Sequence, residues 1–131
     1  MEKKEAIISL GSNRHDRKKR VEEIIGIFKM MYSDVVCSDI YQTPDVRGRE
    51  RMYANAVLKF STDFSLSDLK QRAWMMEKQF GRTTDGVDVP IDIDIVMYDG
   101  EILREKDYQR DYFQIGYRQI TSAQSDTNTN Q

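Results

Sequence analysis

At 131 residues, 39% apolar and 32% charged, the chain reads as one globular domain that buries roughly two-thirds of its unfolded surface and needs no covalent staple. Twenty Lys and Arg against 22 Asp and Glu leave a formal charge of −2, which gives no general pull towards nucleic acid or an anionic membrane, so any phosphate binding must be local. A single cysteine, Cys37, excludes an intramolecular disulfide and a thiolate cluster, and a single histidine, His15, set in a charged run, supports neither a His-based metal site nor a Ser-His-Asp triad.

Residues 5–10 read as a first strand that ends at Gly11-Ser12-Asn13, a set suited to a tight turn or to framing a ligand. Over residues 15–32, Val21, Ile24, Ile25, Phe28 and Met31 follow helical spacing and predict a helix packed on the sheet. The basic run at its start, with His15 among Arg14, Arg17, Lys18, Lys19 and Arg20, opposes the helix dipole and reads as a solvated face. Residues 35–43 predict a second strand, containing Cys37 and stopped by Pro44. Residues 45–51 follow as a loop with three arginines, Arg47, Arg49 and Arg51, and a hinge-like Gly48.

Residues 52–61 alternate as a third strand. Met52, Ala54, Ala56, Leu58 and Phe60 share a core face, while Tyr53, Asn55, Val57 and Lys59 share the other. Ser65 with Asp68 resembles a capping box, and Leu66, Leu69, Ala73, Met76 and Phe80 trace a second helix that Gly81 ends. Trp74 lies on that helix as a packing residue. Residues 83–90 form an irregular loop, and Asp99-Gly100 predicts a hairpin to a short segment around Ile102. Residues 106–120 are aromatic and charged without clear periodicity. Residues 121–131 are polar and predict a disordered tail.

Between the loop and the hairpin lies the most informative stretch, Ile91-Asp92-Ile93-Asp94-Ile95. Alternation places the three Ile on one face and both Asp on the other, roughly 6.6 Å apart at Cα. Aspartate is depleted in strands, and two on one face repel unless a cation bridges them. Hard oxygen ligands point to magnesium, although a solvated polar face would also accommodate the pair. The element order is then β-α-β-β-α-β. It predicts an α+β fold of ferredoxin-like type over residues 1–120, with a mainly antiparallel sheet and both helices on one face. No segment approaches the ~18 apolar residues that span a bilayer, and residues 6–10 are too short for a signal-peptide core, so a cytoplasmic protein is expected.

Five short motifs in order resemble one family, the 6-hydroxymethyl-7,8-dihydropterin pyrophosphokinases of folate biosynthesis, over roughly residues 7–101. They are Gly11-Ser12-Asn13, Tyr41-x-Thr43-Pro44, Tyr53-x-Asn55-Ala56, Glu77-x-x-x-Gly81-Arg82 and Asp92-x-Asp94-Ile95. The resemblance implies transfer of the terminal diphosphate of ATP to the hydroxymethyl group of a reduced pterin, with two magnesium ions and release of AMP. It assigns both metals to Asp92 and Asp94, and pterin hydrogen bonds to Asn55 and Thr43. Walls of the pterin pocket fall to Tyr53 and Pro44, and polar contacts near the nucleotide to Glu77 and Arg82. Arg110 and Tyr112 stand where a later arginine and a pterin-stacking aromatic are expected. ATP and the pterin are the implied partners, with no nucleic acid, membrane or obligate protein partner.

The family carries an arginine three residues before the first Asp, where this chain has Val89, and a Pro-His element that this chain lacks. The expectation is that Arg82 and an arginine of the 45–51 loop supply part of the missing charge. Two other readings remain open on the sequence. One is a divergent relative that binds pterin or nucleotide with little turnover. The other is a ferredoxin-like RNA-binding module, which would need stacking aromatics on adjacent strands within a basic surface.

Overall fold

The structure, a computed structural model, describes residues 2–82 and 87–129, with backbone alone beyond residue 122. Its elements in chain order are β1 (Lys4–Ser12), α1 (Arg17–Met31), β2 (Ser33–Cys37), β3 (Tyr41–Pro44), β4 (Met52–Thr62) and α2 (Leu66–Gln79). After these come β5 (Asp92–Tyr98), β6 (Glu101–Ile102), α3 (Glu105–Gln109) and α4 (Asp111–Thr129). The sheet runs β2-β4-β1-β5-β6, with β3 also paired to β4, and every pairing is antiparallel. The α+β class read from the sequence is the class observed.

One sheet face carries the main core, because alternation on three adjacent strands sends apolar side chains the same way. Ala6, Ile8 and Leu10 of β1, Ala54, Ala56, Leu58 and Phe60 of β4, and Ile93 and Ile95 of β5 meet Val21, Ile24, Ile25 and Phe28 of α1 and Leu69 and Ala73 of α2. Both long helices of the first two-thirds therefore share this face, as their apolar stripes require. Ser65 caps α2 by accepting a hydrogen bond from the Asp68 N–H at 3.1 Å, and Gly81 ends it at φ +91°. Asp99 and Gly100, at φ +52° and +83°, make the expected hairpin between β5 and β6.

Three expectations are corrected. The strand expected over residues 35–43 is two strands, β2 and β3, separated at Ser38. The Ser38 hydroxyl accepts from the Val57 N–H and its own N–H donates to the Val57 carbonyl, so one residue uses both backbone groups of its β4 partner and ends the regular ladder. Residues 106–120 are not irregular but form α3 and most of α4. The tail expected from residue 121 is helical as far as Thr129. Once the first turns of α4 are nucleated by docking, each further polar residue adds a hydrogen bond at little cost. Residues 130 and 131 lie outside the described residues.

The second sheet face is divided lengthwise. Ile7, Val57 and Val96 lie under α4 and pack against its Phe113 and Ile120. Nearer the other end the same face carries Ser9, Gly11, Tyr53, Asn55, Asp92 and Asp94 and stays open. Gly116 lets α4 press down on the sheet, because a Cβ there would fall 2.7 Å from Val57 Cγ2 and 2.8 Å from the Tyr41 hydroxyl. That hydroxyl accepts from the Gly116 N–H at 3.0 Å and donates to the Tyr112 carbonyl, so β3 holds the start of α4.

Candidate active site

Register builds the floor of the open half. Gly11 lies opposite Asn55 on β4 and opposite Asp92 on β5, and one step along Ser9 lies between Val57 and Asp94. With strands about 4.8 Å apart, the Asn55 and Asp92 backbones are roughly 10 Å from each other across the glycine. Above this floor is a cleft of about 160 Å3, walled by β3 and the following loop on one side and by Arg104, Asp107 and Tyr112 on the other.

At one end the cleft presents a fixed acceptor. The Asn55 amide is 2% exposed, and its NH2 group donates to Thr43 Oγ1 at 2.8 Å and to the Tyr53 and Tyr41 carbonyls at 3.3 and 3.4 Å. Both of its donors are used within the protein, so Oδ1 is the atom left to meet a ligand N–H. The half-buried Tyr53 ring and Pro44 flank it. Burial raises the Tyr53 pKa, with Asp45 adding to the rise and Arg47 opposing it, so its hydroxyl stays neutral.

The other end is acidic. Asp94 is mostly buried, and burial, then the charge of Asp92, pushes its carboxyl up to about 8 against the pull of Arg104. Such a carboxyl surrenders its proton readily when a stronger cation arrives. Asp92 meets Arg82 at 3.2 Å, and Arg82 meets Glu77 at 2.9 Å. Arg104 lies 3.7 Å from Asp94 and also pairs with Asp107, which accepts from the Tyr112 hydroxyl. A flat apolar slot with one acceptor thus adjoins a pair of carboxylates bordered by guanidinium groups.

Residues 7–122 match the family described as 7,8-dihydro-6-hydroxymethylpterin-pyrophosphokinase. The chain belongs to this family. No curated protein matches it. The family match extends past residue 101, where the resemblance read from the motifs ends, to take in α3 and the docked part of α4. The family uses ATP and Mg2+ and binds a pterin, which makes it a family of folate-synthesis transferases.

The donor set of this family member suits magnesium. Two hard carboxylates project from one strand, and burial together with its neighbour's charge raises the pKa of one of them, Asp94. Among the described residues no group of three or more His, Cys, Asp or Glu forms a complete cage. The remaining octahedral positions therefore fall to phosphate oxygens and water, the usual division of labour for this ion.

Seven of the ten site residues expected from the sequence line the cleft: Thr43, Pro44, Tyr53, Asn55, Asp92, Asp94 and Tyr112. Arg82 borders it through Asp92. Glu77 is 6% exposed and turned to the sheet edge, where its carboxylate accepts from the Ile93 N–H at 2.7 Å and steadies Arg82. Arg110, expected as the later arginine, is exposed and outside the cleft lining, whereas Arg104 lines the cleft. Of the loop arginines, Arg47 lines the cleft, whereas Arg51 pairs with Asp88 at 2.9 Å. Gly48, at φ +80°, closes a turn with its N–H on the Asp45 carbonyl. Of the loop over residues 83–90, the first four residues lie outside the described residues. Val89, at the family's arginine position, has its backbone gripped by Asn13, whose N–H donates to its carbonyl at 3.1 Å and whose Oδ1 accepts from its N–H at 2.7 Å. His15 is exposed, and Trp74 stands on the outer side of α2 with Lys78 4.5 Å above its ring.

Sequence reasoning missed Ser9, Asp45, Arg104 and Asp107. Ser9 was legible as the alternate partner of Gly11 on a strand whose Ile8 and Leu10 face the core. Arg104 and Asp107 become neighbours of Asp94 only through the turn of α3. The RNA-binding reading loses much of its platform, because α4 packs over Ile7, Val57 and Val96 on the sheet face such a module would use.

Proposed function

We propose that this chain transfers the terminal diphosphate of ATP to the hydroxymethyl oxygen of 6-hydroxymethyl-7,8-dihydropterin and releases AMP. The observation that carries the reading is the shared floor, on which the Asn55 acceptor and the Asp92–Asp94 pair face one cleft across Gly11. The order β2-β4-β1-β5 with α1 and α2 on one face also supports reading the central elements as a ferredoxin-like core.

In this reading the pterin ring lies in the slot between Tyr53, Pro44 and Tyr112, with an N–H of its pyrimidine edge on Asn55 Oδ1. Thr43 fixes the amide and so selects which atom faces the ligand. A ring anchored there directs its hydroxymethyl group over Gly11 towards the carboxylates. The hydroxyl oxygen then bonds to the β-phosphorus of ATP, releasing its proton to solvent, as the bond from that phosphorus to the AMP oxygen breaks. Asp92 and Asp94 would hold two magnesium ions, which supply charge neutralisation and alignment of the phosphate oxygens. Arg82, held by Glu77, and Arg47 on the loop add positive charge where it develops, and this chemistry depends mainly on such positioning.

The test is AMP release from ATP and Mg2+ with and without the dihydropterin. Pterin-dependent AMP in the parent, lost in Asp92→Asn and Asp94→Asn, supports the assignment. Binding of both ligands without AMP release would leave a binding protein in place of an enzyme.

A further inference from the structure

Resting on that reading, we infer that Arg104, which pairs with Asp94 at the cleft, is a phosphate-positioning residue that passes to the nucleotide's β- and γ-phosphates when the magnesium complex binds. The geometry behind this lies in a single chain of contacts. Arg104 stands at the entry to α3, lines the cleft, and reaches Asp94 with Nη2 at 3.7 Å. Its Nε is held by Asp107, and Asp107 is in turn fixed by the Tyr112 hydroxyl. Tyr112 is tied to β3 by the Tyr41 hydroxyl on its carbonyl. The guanidinium is therefore anchored on its α3 side and loosely paired on its cleft side, and the described residues give Nη1 no partner.

A separation of 3.7 Å is an ion pair without a good hydrogen bond, so Asp94 is a weaker partner for Arg104 than a phosphate at 2.7–2.9 Å would be. The half-exposed guanidinium needs no refolding to exchange one for the other. A magnesium-bound Asp94 no longer attracts it, while the arriving triphosphate brings more negative charge than one carboxylate does. Arg82 is poorly placed for the same exchange, since Glu77 and Asp92 already hold it at 2.9 and 3.2 Å.

The experiment is calorimetric titration of the full chain with Mg2+ alone, with Mg2+ and α,β-methylene-ATP, and with AMP, for the parent, Arg104→Ala, Arg104→Lys and Asp107→Asn. If Arg104 acts as stated, Arg104→Ala weakens the magnesium–triphosphate analogue about tenfold or more, the worth of one charge-assisted contact. It leaves AMP affinity within about twofold and tightens Mg2+ alone, because a competing cation is gone. Lysine recovers part of the analogue affinity, and Asp107→Asn, which loosens the anchor, falls between parent and alanine. Equal affinity for the analogue in parent and Arg104→Ala overturns the role, and so does an equal loss for the analogue and AMP, which marks a merely structural change. Should Arg104→Ala fail to fold, Arg104→Lys against Asp107→Asn decides by the same ratios. A parent that binds no analogue sinks the transfer reading itself, whereas a parent that binds it beside an indifferent Arg104→Ala sinks only this inference.

Discussion

Asn55 joins two roles that its position makes inseparable. Its NH2 group clamps β3 to β4 through Thr43, and its oxygen faces the cleft. Asn55→Ala is expected to weaken pterin binding by about 1–3 kcal/mol and to lower stability by a similar amount, since the Thr43 hydroxyl loses its donor inside the protein. Ligand titration beside urea unfolding checks both, and an unchanged pterin affinity would remove the residue from the slot. Glu77 offers a second test at this scale. Burial raises its carboxyl to about 7 in the folded chain against 4.5 as its ordinary value, so the fold holds this proton more tightly than the unfolded chain does. Its contribution is therefore most favourable below about pH 4.5 and is lost as pH rises towards 7. Glu77→Gln cannot ionise, so its stability relative to the parent should improve between pH 5 and pH 8 in metal-free buffer. Parallel stability curves for the two proteins would count against the raised carboxyl.

Elements explain what a single residue cannot. α4 rests on the sheet only because residue 116 has no side chain. Gly116→Ala should cost about 1–3 kcal/mol, because Val57 contributes both Cγ2 and Cβ to the clash and cannot rotate wholly away. A lowered melting temperature together with loss of Tyr112 from the pocket, read as weakened pterin binding, is the expected result; a melting temperature equal to the parent's would contradict the close packing. The sequence carried much of this architecture. Alternation in β1, β4 and β5 assigned the faces, Ser65 and Gly81 marked the ends of α2, and Asp99-Gly100 marked the hairpin. Phe113, Gly116, Tyr117 and Ile120 also held a legible stripe at helical spacing. Charged neighbours diluted it, and the polar run after residue 120 suggested that nothing stable lay there. Arg104 was not legible in the same sense, because its nearness to Asp94 comes from a five-residue helix and not from any periodicity.

Across the whole molecule, the cleft draws on β1 near one end of the chain and on Tyr112 near the other. Ending the chain after Leu103 would uncover Ile7, Val57 and Val96, and re-exposing three core residues costs roughly 5 kcal/mol or more in apolar burial. That is comparable with the whole net stability of an ordinary domain, so the shortened chain should bind hydrophobic dyes, melt without a sharp transition and retain no pterin affinity. A cooperative melt near the parent's temperature would show that α4 is dispensable to the fold. The divided sheet face also bears on the order of folding. During folding β1, β4 and β5 can pair and cover their helical side before α4 docks, with Ile7, Val57 and Val96 still bare beside an unfinished pocket. The cleft in turn acquires Tyr112, and with it a second wall, only when α4 folds down.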